Sequence, residues 1–153
     1  MRVMGIDPGS RCLGYGLIDV QKNGKQIYVA SGHLALSGEL PDRLLQIDQG
    51  LSTIIDRYQP QCVAIESLFV HRFPKAALIL GHARGAALLT VARQALPIAE
   101  YAPRLVKQTV VGYGNAAKEQ MQHMVKQLLQ LQGLPQSDAA DALAIAMCHI
   151  AHG

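Results

Sequence analysis

Four acids stand where negative charge is costly: Asp7 in MGIDPGS, Glu66 in VAIES, and Asp138 and Asp141 in QSDAADALAIA. Only eleven of the 153 residues are acidic, and these four close apolar runs or open a helical one. Asp138 and Asp141 are three apart, so on a helix they share a face with Cβ atoms about 5–6 Å apart. Ile145 continues that stripe, which turns it toward the protein. Like charges turned inward repel, and their pKa values rise unless a cation intervenes. Taken alone, the pair is better read as complementing the positive end of a helix dipole. Asp7 and Glu66 widen the reading, because both end strands, and open α/β sheets bind ligands at the carboxyl ends of central strands. Glu66 by itself reads equally as a strand-end charge in solvent. A last helix packed across that edge brings all four acids to one point. Oxygen ligands with no Cys or His suit Mg²⁺ or Mn²⁺. Two such ions, about 3.5–4 Å apart, are a device for hydrolysing phosphodiesters.

Elements to position these acids can be read along the chain. Residues 2–7 form an apolar strand ending in Pro8-Gly9-Ser10, and residues 13–20 and 27–36 flank a Lys22-Asn23-Gly24-Lys25 turn with an Asn-Gly hairpin signal. Leu40, Leu44, Ile47, Leu51, Ile54, Ile55 and Tyr58 recur at helical spacing, ended by Pro60. Residues 62–65 are a short continuous apolar run closed by Glu66, as in a strand buried on both faces. Beyond it, Pro74 opens a helix over 75–94, residues 98–101 form a short strand, and a brief helix runs from Pro103 through Val110. After the 112–115 loop, 116–131 is helical, Gly133-Leu134-Pro135 is a break, and Ser137 caps a last helix reaching about His149. The pattern predicts an α/β fold with a mixed five-stranded sheet flanked by helices, residues 1–153 forming a single domain.

Half the residues are hydrophobic and 16% are charged, which excludes a disordered chain. No uninterrupted apolar stretch approaches the roughly 20 residues needed to cross a bilayer, and MRVMGID reads as a strand rather than a secretory leader, so no membrane role is expected. Cys12, Cys62 and Cys148 are odd in number and widely spaced, which argues against a disulfide framework or a zinc knot and for a reducing cytoplasm. Between Ser67 and Ser137 lie eight Lys or Arg and two acids, while the flanking segments hold the other nine acids and six basic residues. A basic middle beside an acidic centre suits a polyanion held by one region and processed by another. Unrelated solvated helix faces would give the same count.

GIDPGS with GYG, AIES.F, ALILGHARGA, VKQTVVGYGNAAKEQMQHMV and SDAADALAIA together resemble the RuvC Holliday-junction resolvases, in order and over nearly the whole chain. That resemblance implies an RNase H-like fold, a homodimer, and symmetric cutting of four-way DNA junctions with Mg²⁺ or Mn²⁺, two ions per site. Motif by motif, the family's metal-binding catalytic acids fall on Asp7, Glu66, Asp138 and Asp141. Family lysines that face DNA fall on Lys107 and Lys118, where a cation would also offset charge on a crowded phosphate. Phe69 resembles the family's aromatic at unpaired crossover bases, and Arg72 keeps a basic charge in the same DNA-binding loop. The helix carrying Gly81 and Gly85 lies near the family's dimer interface, although small residues serve close packing inside one subunit equally well. Paired nicks leaving 5′-phosphate and 3′-hydroxyl ends, and cooperation with the RuvA–RuvB branch-migration complex, follow from the same resemblance.

The chain departs from the family pattern between His71 and Lys75, where Phe73-Pro74 replaces small polar residues. The six histidines are read as structural or surface residues. Three other readings compete: an RNase H-like nuclease acting on RNA or an RNA–DNA hybrid, an actin-like or sugar-kinase ATPase suggested by GIDPGS, and a junction-binding module that never cuts. The ATPase reading lacks a second phosphate loop.

Overall fold

The computed structural model describes residues 1–68 and 73–153. A mixed five-stranded sheet has the order β3-β2-β1-β4-β5, from β1 (Arg2–Asp7), β2 (Cys12–Val20), β3 (Gln26–Ala35), β4 (Cys62–Glu66) and β5 (Ile98–Tyr101). β1, β2 and β3 form an antiparallel meander, whereas β4 and β5 run parallel to β1. Five helices complete the described fold: α1 (Leu40–Tyr58), α2 (Pro74–Arg93), α3 (Pro103–Val111), α4 (Lys118–Leu128) and α5 (Ser137–His152).

Side chains alternate across a strand, so parity sorts the sheet into two faces. Met4 and Ile6, Leu13 and Leu17, and Val63 and Ile65 pack with α1 and α2. Val3, Ile18, Cys62 and Ala64 pack with α3, α4 and α5 on the other face. α1 is amphipathic, burying Ile47, Leu51, Ile54 and Ile55, and it stops at Gln59 in the left-handed conformation just before Pro60. α5 differs. Ala139, Ala140 and every residue from Ala142 to Cys148 are buried, because α5 lies between the sheet and α3 and α4. Ile145 therefore does point inward, but so do the other sides of its helix.

Three local expectations need correction. The helix predicted over 116–131 is Lys118–Leu128, started by the Gln120 side chain accepting from Ala117 N at 2.7 Å and followed by Gln130 with φ 54°. Ser137 does not cap α5: Gln136 does, its Oε1 accepting from Ala139 N at 2.9 Å, while Ser137 Oγ is buried without a partner. The last helix continues to His152.

α2 is interrupted by Lys75, His82, Arg84 and Arg93, yet its 20 residues are long and apolar enough to cross a bilayer by length and composition. Its contacts give those residues another use. Ala83, Ala87, Thr90 and Val91 are buried against the core, Thr90 Oγ1 donates to Asp48 Oδ1 on α1 at 2.7 Å, and Arg93 pairs with the same carboxylate. The small-residue stripe is not what packs. A Cβ at Gly85 would meet nothing within 4 Å, one at Gly81 only Leu68 at 3.8 Å, and Leu78 and Leu89 are exposed on the same helix.

Candidate metal centre

Parity and register place the acids. Ile6 pairs with Ile65 across the parallel β1–β4 ladder, so the next residues, Asp7 and Glu66, end neighbouring strands side by side. Ile6 and Ile65 belong to the α1–α2 face, which turns Asp7 and Glu66 to the α5 face. α5 comes down unusually close. A Cβ on Gly5 would lie 1.9 Å from Ala142 O, and one on Gly14 would lie 2.1 Å from Asp138 O. Only bare backbone at Gly5 and Gly14 lets the first turns of α5 reach the strand ends. As a result, single carboxylate oxygens of Asp7, Asp138 and Asp141 lie within 4.8 Å of one another.

Glu66 stands outside that triplet, on the wall of an adjoining pocket of about 220 Å³ that it shares with Asp141. Lys107 from α3 and Lys118, the first residue of α4, line the same pocket above Val106 and Met121. Neither lysine is paired to an acid. Among the described residues the ion pairs are Arg2–Asp19, Arg84–Glu100 and Arg93–Asp48, so none of the four acids is held in a salt bridge.

The electrostatic consequence is large. Burial, and then the charges of Asp141, Glu66 and Asp138, push the Asp7 carboxyl from its ordinary 3.8 to about 8. Burial and Asp141 push Glu66 from 4.5 to about 7 against the opposing pull of Lys107. Burial likewise raises Asp141, opposed by Lys118 and Lys107. A half-buried carboxylate cluster bordered by two lysines but held in no salt bridge is a poor resting state for a protein at neutral pH and a good one for a divalent ion. The donor set fits Mg²⁺ or Mn²⁺: hard oxygens within one ion's reach. A softer donor, Cys12 Sγ, lies beside the set and donates to Asp138 Oδ2 at 3.2 Å. Burial and Asp138 raise that thiol to about 11, so it is a proton donor rather than a thiolate ligand at neutral pH.

Lys107 and Lys118 thus stand beside the acids as the sequence suggested, whereas Phe69 and Arg72 lie outside the described residues. Phe73, next to them, is strongly exposed. Sequence reasoning missed Arg84, taken only as one charge in the basic middle. Its Nε donates to Glu66 O at 3.3 Å and its guanidinium pairs with Glu100 on β5, tying α2 to the end of β4. An Arg in the middle of an otherwise apolar run was the available signal. Gln136 and Cys12, which both touch Asp138, carried no signal at all.

An RNase H-like sheet with carboxylates from β1, β4 and α5 gathered at one edge defines the class: an RNase H-like protein with a divalent-cation centre. Within that class, a model of the family "Crossover junction endodeoxyribonuclease RuvC" matches residues 3–149. The chain belongs to the RuvC family. It is 55% identical to the crossover junction endodeoxyribonuclease RuvC of Tolumonas auensis, over 96% of this chain and 85% of that relative. Identity to the Legionella pneumophila protein of the same name is 52%, with the same coverage of both chains. Among solved structures, Thermus thermophilus RuvC in complex with a Holliday junction substrate superposes with a TM-score of 0.88 at 36% identity, covering 97% of this chain and 92% of that one.

Proposed function

We propose that this chain resolves four-way DNA junctions by hydrolysing two phosphodiesters symmetrically, as a homodimeric nuclease of residues 1–153, in recombination and DNA repair. The convergence of Asp7, Asp138 and Asp141 within 4.8 Å, with Glu66 beside them and none of the four held in a salt bridge, carries the reading. Family membership and the junction-bound relative supply the substrate class. Asp7, Glu66, Asp138 and Asp141 would hold two Mg²⁺ ions, with Mn²⁺ able to substitute. When bound, the ions supply Lewis acidity toward water and the leaving oxygen of an in-line displacement. The protein's own part is to fix four oxygen donors on two strand ends and one helix, and to line the adjoining pocket with Lys107 and Lys118. Those two cations position phosphates and offset charge building on the reacting group. No nucleophilic side chain is needed: water would attack phosphorus, the P–O3′ bond would break with the 3′-oxygen leaving as the hydroxyl, and the resulting 5′-phosphate and 3′-hydroxyl ends can be sealed by a ligase.

A four-way junction presents two equivalent strands, and a two-fold dimer presents two equivalent sites. The exposed Leu78, Gly85 and Leu89 on α2 supply an apolar surface suited to that contact. Phe69 and Arg72 are assigned to DNA contact near the crossover, and RuvA–RuvB to upstream branch migration. A bacterial DNA substrate and three free cysteines agree with a cytoplasmic location. A substrate panel tests the proposal against action on RNA or an RNA–DNA hybrid. With Mg²⁺, a mobile four-way DNA junction should be cut at least about 100-fold faster than a matched linear duplex or hybrid, a preference of about 2.7 kcal/mol. Equal or faster cutting of the hybrid would reject the junction assignment.

A further inference from the structure

Gln136 sits one residue before α5, and its amide reaches two places at once. Oε1 accepts from Ala139 N at 2.9 Å, capping the helix, and Nε2 donates to Asp138 Oδ2 at 2.7 Å. The two contacts agree on the amide's orientation: turned over, it would set NH₂ against N–H and oxygen against carboxylate. Cys12 arrives from the first position of β2 and donates to that same Oδ2 at 3.2 Å. Among the described residues, no hydrogen bond from a side chain falls on Oδ1. An oxygen accepting two hydrogen bonds has its lone pairs engaged, whereas its neighbour keeps both for a cation. The backbone beneath is fixed as well, since β2 at Gly14 and Asp138 O leave no room for a Cβ between them. Rotation of the Asp138 side chain is then the remaining freedom, and donors from two separate elements remove it.

We propose that Gln136 and Cys12 are positioning residues that present Asp138 to a divalent cation through Oδ1 alone. This rests on the metal-centre reading above, and the test separates the two. Mn²⁺ is titrated into the full chain, following the free-ion signal by electron paramagnetic resonance, and the metal-free Tm is measured beside it. Gln136→Ser keeps a good N-cap side chain but is too short to reach Asp138. Cys12→Ala removes the thiol, and Cys12→Ser returns a donor. Gln136→Ser and Cys12→Ala should each weaken Mn²⁺ binding about 10-fold, with metal-free Tm unchanged and most of the affinity recovered in Cys12→Ser. Wild-type affinity in both variants would overturn the proposal. So would a loss that merely follows a fall in metal-free Tm, or one that Cys12→Ser does not recover. A wild-type chain that takes up no Mn²⁺ would overturn the metal centre itself, and this proposal with it.

Discussion

Asp7 carries a strongly displaced carboxyl, driven up from its ordinary 3.8 to about 8 by burial and then by three other acids. Without metal, Asp7 holds its proton to about pH 8 and Glu66 to about pH 7, well above their ordinary 3.8 and 4.5. A group whose folded pKa is raised stabilises the fold fully below its unfolded value and loses that contribution as pH rises through the folded one. The window here runs from the ordinary carboxylate range to about 8. A divalent ion binds the deprotonated form, releasing protons, so it returns stability where the metal-free protein has lost it. Melting curves in EDTA and in Mg²⁺ between about pH 6 and pH 9 should therefore diverge as pH rises, with the larger Mg²⁺-induced gain in Tm at the alkaline end. A gain independent of pH would separate the raised carboxyls from metal binding.

At the scale of elements, the site exists because α5 can descend onto β1 and β2. Gly14→Ala inserts a methyl where Asp138 O already lies, so β2 and α5 must part. The expected cost is about 1–3 kcal/mol of stability by chemical denaturation, accompanied by weaker Mn²⁺ binding, since Asp138 moves with its helix. Retained stability and affinity would show that the close approach does not set the site. The sequence displayed much of this arrangement. Asp7 and Glu66 closing apolar runs, and two Asp residues three apart, were enough to suggest strand ends meeting a helix. Strand order and pairing direction are long-range properties that no local pattern prints, so the shared face of Asp7, Glu66 and Cys12 appears only once register is known. Gln136 was invisible for a different reason: Ser next to it is the commoner capping residue, and the contact from Cys12 to Asp138 joins residues 126 apart. The outward face of α2 was ambiguous because Gly and Ala serve intramolecular and intermolecular packing alike.

Across the whole molecule, acids and bases divide the work. Basic residues of the middle segment, Lys107 and Lys118 among them, border the carboxylate centre without forming a salt bridge to it. On the proposed function, holding DNA and cutting it should be separable, because phosphate affinity would rest on the cations and hydrolysis on the acids. In the proposed dimer, paired sites would add symmetry: two nicks at equivalent positions on opposed strands. The most direct test is to map nicks on all four strands of a mobile junction, with Mg²⁺ and without, for the wild-type chain and for Asp7→Asn. The account predicts paired, Mg²⁺-dependent nicks from the wild type, and none from Asp7→Asn while that variant still shifts the junction in a binding gel. Mg²⁺-dependent cutting retained by Asp7→Asn would contradict it.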